Sequence, residues 1–206
     1  MTKKERAKII MIELEKCFPV VDIPLDHSNP YELLVAVALS AQTTDKKVNE
    51  VTPSLFRIAG TPEKMAALEV SEIKELIKEI GLSNTKAKNL KLMAEQLVER
   101  HQSVVPKTYE ELENLAGVGH KTASVVMSQA FGIPAFPVDT HIHRLMTQWK
   151  LTSGKNVTET EKDAKKLFPK SSWNKLHIQI ILYGREYSPA RGKSKDYITP
   201  LILGRS

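Results

Sequence analysis

The chain has 206 residues, 41% of them hydrophobic and 26% charged, which is enough apolar material for one large or two small domains with a sizeable core. A net charge of +6 favours a polyanionic partner, and the single cysteine, Cys17, excludes both a disulfide framework and a cysteine-held metal cluster. No apolar run approaches the length of a membrane span, and Lys3-Lys4-Glu5-Arg6 leads into a charge-broken stretch unlike a secretory signal, so a cytosolic or chromosome-associated protein is expected.

Residues 3 to 18 have the spacing of an amphipathic helix carrying Ile9, Ile10, Met11, Ile12 and Leu14, and Pro19 ends it. Asn29 followed by Pro30 matches an N-cap with proline at the first helical position. The helix it opens, through Leu33, Leu34, Val37 and Leu39, is apolar enough to be the buried centre of a domain. Its polar end runs from Ser40 to Asp45, and Asp45 is expected to cap a helix reaching about Ala59. Thr61-Pro62-Glu63 starts a brief helix and Ser71 another. After Gly81-Leu82-Ser83-Asn84 a helix resumes with Lys86, Ala87, Leu90, Met93 and Leu97. Lys86, Lys88 and Lys91 are expected to flank phosphates or to form a solvated face.

The densest signals lie between Thr108 and Arg144. Thr108 and Glu111 form a capping box, with Leu112 and Leu115 as one buried stripe on a short helix. Gly117 and Gly119 bracket Val118: the glycines permit positive φ and leave N–H groups uncovered, while Val118 anchors the turn in the core. From His120 the pattern is helical again through Ala123, Val126, Ala130 and Phe131, until Gly132 and Pro134 close it. A helix that starts beside uncovered glycine backbone suits one phosphate and reads no bases, although the same residues also fit an ordinary helical hairpin.

Lys121 lies in the first turn of that helix, where the dipole disfavours an ammonium and any burial would disfavour it further. Asp139 opens the next helical pattern, VDTHIHR. An amine and a carboxylate at two helix beginnings are what Schiff-base chemistry at a sugar carbon needs, although Asp139 fits a plain N-cap equally well. Arg144 is placed to orient that carboxylate, and His120 to touch a phosphate. His141, His143 and His177 lack metal-ligand spacing with acidic or cysteine partners. Further on, Thr158 and Glu161 read as a second capping box, and a long helix with Trp173, Leu176, Ile180, Ile181 and Tyr183 follows Pro169.

LAGVGHKTASVV followed by VDTHIHRL resembles the helix-hairpin-helix and Gly/Pro-Asp loop of the endonuclease III family of base-excision DNA glycosylases. The resemblance runs from YELLVAVALSAQTTDKKVN through IGLSNTKAKNL to SGKNVTETEK and IILYGREYSPAR, nearly the whole chain. It implies an all-α helix-hairpin-helix DNA glycosylase fold of two helical lobes with a cleft between them. One lobe is a barrel domain over residues 22–133, with the hairpin at about 109–131; the other joins residues 1–21 to 134–206. It also implies that Lys121 attacks C1′ of a damaged nucleotide and that Asp139 supports the attack. Gln42 would enter the gap left by the everted nucleotide, and Leu82 would pry stacked bases apart. Gly117, Val118, Gly119, His120, Arg144 and Lys193 complete the expected DNA-binding set.

The chain departs from the family pattern at its end. Many members carry a four-cysteine iron–sulfur cluster after the segment matching YGREYSPAR, whereas Ser188 to Lys195 here contains no cysteine. No cluster, metal or other cofactor is therefore expected, and a basic tail of Arg191, Lys193 and Lys195 remains. The expected activity is removal of oxidised pyrimidines from duplex DNA through a lysine Schiff base, with β-elimination at damaged or abasic sites, by a monomer away from membranes. The competing readings are a monofunctional mismatch glycosylase and a non-catalytic hairpin module that binds DNA.

Overall fold

The computed structural model describes residues 1–204, and every regular element among them is helical. They form two units: residues 23–132, and residues 1–22 together with the chain from Ile133 onward. Helix α1 (Lys3–Cys17) belongs to the discontinuous unit. The continuous unit is built from α2 (Pro30–Ser40), α3 (Asp45–Ala59), α4 (Pro62–Ala67), α5 (Val70–Leu76), α6 (Ser83–His101), α7 (Tyr109–Glu113) and α8 (His120–Phe131).

At the centre of the continuous unit is α2, as its composition implies. Leu33, Leu34, Val35, Ala36 and Leu39 are fully buried, because α3, α6 and α8 pack around this helix and leave no face for solvent. α6 in turn packs on α4 and α5. Asn29 caps α2 as expected, its side chain accepting from the Glu32 N–H at 3.0 Å, and Thr61 caps α4 in the same way.

Two other starts of this unit are displaced from the expected residue. Thr44 caps α3, which places Asp45 in the first turn, and Glu69 rather than Ser71 precedes α5, its N–H donating to the Glu72 carboxylate at 2.7 Å. The box at Thr108 forms with a changed partner: its hydroxyl accepts from the Glu111 N–H at 3.3 Å and donates to the Glu111 carboxylate at 2.6 Å.

The discontinuous unit adds α9 (Thr140–Gln148), α10 (Val157–Leu167), a 3-10 turn (Lys170–Ser172), α11 (Trp173–Glu186) and α12 (Ile198–Leu203) to α1. Asn156, not Thr158, caps α10. Its core holds Ile10, Leu14, Phe136, Ile142, Leu145, Trp149 and Tyr183. Arg6 fastens α1 to the end of α9, donating to Trp149 O at 3.1 Å and Lys150 O at 2.8 Å. No helix among the described residues is long and apolar enough to cross a membrane.

Candidate nucleic-acid interface and active site

The turn between α7 and α8 is held from both sides. Val118 is 6% exposed, and its N–H donates to Leu115 O at 3.1 Å. This residue pins the turn to the core, as its place between two glycines implies, and its N–H is engaged within the turn. Gly117 has φ +76°, and a Cβ there would lie 3.0 Å from Asn89 Cβ, so conformation and space both call for glycine. Gly119 needs neither: its φ is −96° and its surroundings are open.

As the N-cap of α8, Gly119 supplies no side chain to cover the helix start. The first-turn amides of Lys121 and Thr122 have no acceptor within the helix, the arrangement an anion occupies. His120 stacks on Tyr109 with ring centroids 5.1 Å apart, and its Nδ1 is 2.7 Å from Glu113 Oε1. Lys121 is exposed.

Helix α6 organises the rest of this region. Gln96 donates to Asn114 O at 3.3 Å and accepts from the Ala116 N–H at 2.7 Å, while Asn89 lies beneath Gly117. A cavity of about 20 Å³ lined by Leu39, Lys86, Asn89, Ala116 and Gly117 marks where the end of α2, α6 and the hairpin turn meet. Gln42, in the turn after α2, is exposed with φ +57°, and Leu82, just before α6, is 58% exposed with φ +61°. The two turns adjoin: a Cβ on Gly81 would stand 3.8 Å from Gln42 O and 3.9 Å from Thr43 Oγ1. Gln42, Leu82 and the hairpin are thus brought into one neighbourhood.

Lys86 is not the solvated or phosphate-facing residue its sequence context suggests. It is 8% exposed, and its ammonium donates to Leu39 O, Ala41 O and Thr43 Oγ1 at 2.9, 2.7 and 3.1 Å. Burial pushes its pKa below the usual 10.5. Lys91 likewise points inward, to Ala66 O at 3.0 Å and Leu68 O at 2.8 Å, and Lys88 alone of the three is exposed. Adjacency to the buried stripe did not reveal this, since the exposed Lys88 stands beside Ala87 just as Lys86 does.

In the discontinuous unit, Asp139 is half-buried and caps α9, its Oδ1 accepting from the Ile142 N–H at 2.9 Å. That cap leaves Oδ2 outside the interaction.

The profile of the HhH-GPD superfamily base excision DNA repair proteins matches residues 35–170. Endonuclease III of Escherichia coli (strain K12) is 42% identical over 191 residues, covering 93% of this chain and 90% of that protein. The chain belongs to the endonuclease III family of DNA glycosylase/AP lyases. Endonuclease III of Bacillus subtilis (strain 168) is 40% identical over 93% of the chain and 88% of its own length. Among solved structures, a trapped endonuclease III–DNA covalent intermediate superposes with a TM-score of 0.90 at 39% identity, covering 93% of this chain and 91% of the other. A thermostable thymine-DNA glycosylase follows at 0.83 and 26%, with the same coverage.

Two features distinguish this member of the endonuclease III family from the expected pattern. Arg144 does not orient Asp139. Its guanidinium binds the Ser188 hydroxyl at 3.2 Å and the Ser188 carbonyl, so it ties α9 to the end of α11 instead of presenting its fork to a phosphate. The second feature is the stretch from Ser188 to Lys195, where the resemblance raised the question of an iron–sulfur cluster and the residues present do not fit one. The only cysteine lies on α1, with its Sγ 3.1 Å from Tyr197 Oη, and no group of three or more metal-binding side chains occurs among the described residues.

A polar hub closes that region instead. Tyr183 donates to Asp196 Oδ1 at 2.7 Å and accepts from the Tyr197 and Ile198 N–H groups at 3.2 and 3.1 Å, while Gln148 and Thr199 donate to Asp196 Oδ2 at 2.7 and 2.6 Å. Burial raises the Tyr183 pKa, which keeps the phenol a donor. Arg191, Lys193 and Lys195 are exposed on the loop that the hub anchors.

Proposed function

We propose that the chain removes oxidised pyrimidines from duplex DNA and cuts the strand at the abasic sugar, with Lys121 as the nucleophile. The observation that carries this reading is the placement of Lys121: an exposed amine at the second position of a helix whose start no side chain caps. The amides that take a backbone phosphate and the amine that meets the sugar then come from one turn. A relative of the same fold has been trapped as a covalent intermediate with DNA, which supports the assignment.

In this reading the first turn of α8 grips a phosphate beside the lesion. Leu82 and Gln42 fill the gap as the nucleotide leaves the stack, at a cost of about a few kcal/mol that damaged bases lower. Lys121 Nζ bonds to C1′, the glycosidic C1′–N bond breaks, and the base departs with a proton. Ring opening leaves a Schiff base between Nζ and C1′, and loss of a C2′ proton then expels the 3′ phosphate. Asp139 stabilises positive charge at the sugar and accepts a proton from the amine. Lys193 and the basic residues beside it meet the backbone further along, and the chain acts as a monomer on chromosomal DNA, with no metal or organic cofactor.

Borohydride reduction in the presence of duplex carrying an oxidised pyrimidine tests the reading. The native protein becomes covalently linked to the strand, and Lys121→Gln does not. Undiminished linkage in Lys121→Gln removes the nucleophile assignment. Base release without linkage by the native protein marks a monofunctional glycosylase, and inertness towards every lesion marks a binding module. Asp139→Asn separates chemistry from capping, because asparagine caps as well as aspartate: turnover falls about a hundredfold while the melting temperature stays within a few degrees.

A further inference from the structure

A buried ammonium lies inside the continuous unit, and the reaction just described does not use it. Three N–H donors of Lys86 meet three neutral acceptors, and no carboxylate among the described residues acts on it. Desolvating an ammonium with no counter-ion is costly, so the contacts it makes must repay the cost in structure. Two of its acceptors are carbonyls at the end of α2, where a helix leaves its last C=O groups without internal partners.

The residue these acceptors flank is Gln42. Ala41 O belongs to the peptide unit leading into Gln42, and Thr43 follows it, so the ammonium holds the chain on both sides of a glutamine at φ +57°. Lys86 is also tied to Leu82 through the backbone, its N–H donating to Leu82 O at 3.0 Å across the first turn of α6, with Leu82 at φ +61°. Two exposed, non-glycine residues in the left-handed region therefore share one buried anchor. Such conformations persist only where the surroundings over-determine them.

We propose that Lys86 is a positioning residue that couples Gln42 to Leu82, fixing both turns in one arrangement so that the two side chains enter the base stack together. The inference rests on the reading of Gln42 and Leu82 as stack-entering residues. Lys86 itself contacts no DNA; its effect passes through the two turns.

A duplex with 2-aminopurine opposite the lesion reports the step, because its fluorescence rises on unstacking. The native protein produces the rise, and Gln42→Ala and Leu82→Ala each reduce it. Lys86→Met, which keeps the stem and removes the donors, lowers kcat for base release about tenfold and the rise with it, while affinity for undamaged duplex, set by the hairpin, changes less than about twofold. In the Gln42→Ala/Leu82→Ala background the same substitution costs no further rate, since nothing remains to be positioned. Thr43→Val deletes one acceptor without altering shape; it shows a smaller loss of the same pattern and replaces Lys86→Met if that variant does not fold. A variant that lowers the melting temperature yet leaves kcat and the rise native overturns the coupling, as does a loss undiminished in the double-variant background. Absence of any rise with the native protein overturns the stack-entry reading first, and the coupling with it.

Discussion

The turn from Gly81 to Lys86 and the turn from Gly117 to Lys121 each combine a glycine, an apolar residue and a lysine, and each leads into a helix of the same unit. In the first, Leu82 is outside and Lys86 inside; in the second, Val118 is inside and Lys121 outside. The inversion follows from the position of the lysine. Helical side chains lean towards the N-terminus, so Lys86, the fourth residue of α6, reaches back beneath its turn to the end of α2. Lys121, the second residue of α8, has less than a turn of helix before it and is exposed. With an ammonium and its acceptors filling the space under the first turn, Leu82 is left at the surface; under the second, Val118 fills that space. Burial lowers the pKa of the enclosed lysine, Lys86, which takes no part in the proposed chemistry.

The sharpest way to break the comparison is to exchange the reactive amine. Lys121→Gln should reduce strand cutting on the order of a thousandfold or more with little change in stability, measured by single-turnover cleavage and thermal melting. The apolar residues come next: Val118→Ala should destabilise the protein by about 2 kcal/mol in denaturant unfolding, and Leu82→Ala by less than about 0.5 kcal/mol. The glycines divide similarly. Gly117→Ala meets both a positive φ and Asn89, and should cost about 1 kcal/mol or more beyond Gly119→Ala, which meets neither.

The smallest effect is one of pH. Because the folded-state pKa of Lys86 lies below 10.5, the unfolded chain binds more protons in the window between that value and 10.5. Native stability should therefore climb with pH there relative to Lys86→Met, in paired unfolding curves, and parallel curves would remove the desolvated ammonium from the account.

What the sequence revealed is what local chemistry decides. Asn29, Thr61 and Asp139 cap the helices they precede because a short polar side chain needs only its own next turn to act. Thr44 against Asp45, Glu69 against Ser71 and Asn156 against Thr158 were not separable, since neighbouring residues of similar chemistry compete for one extended backbone position. The burial of Val118 was legible because an apolar residue between two glycines has only the core to enter. Lys86 and Arg144 were not, because their partners lie 43 to 47 and 44 residues away and are set by helix packing that no local pattern records.

The division between an enclosed and a reactive lysine is tested most directly by peptide mapping of the borohydride-reduced protein–DNA adduct. The account places the sugar remnant on the peptide containing Lys121, with Lys86 unmodified. A remnant on Lys86, or spread over several surface lysines, would contradict it.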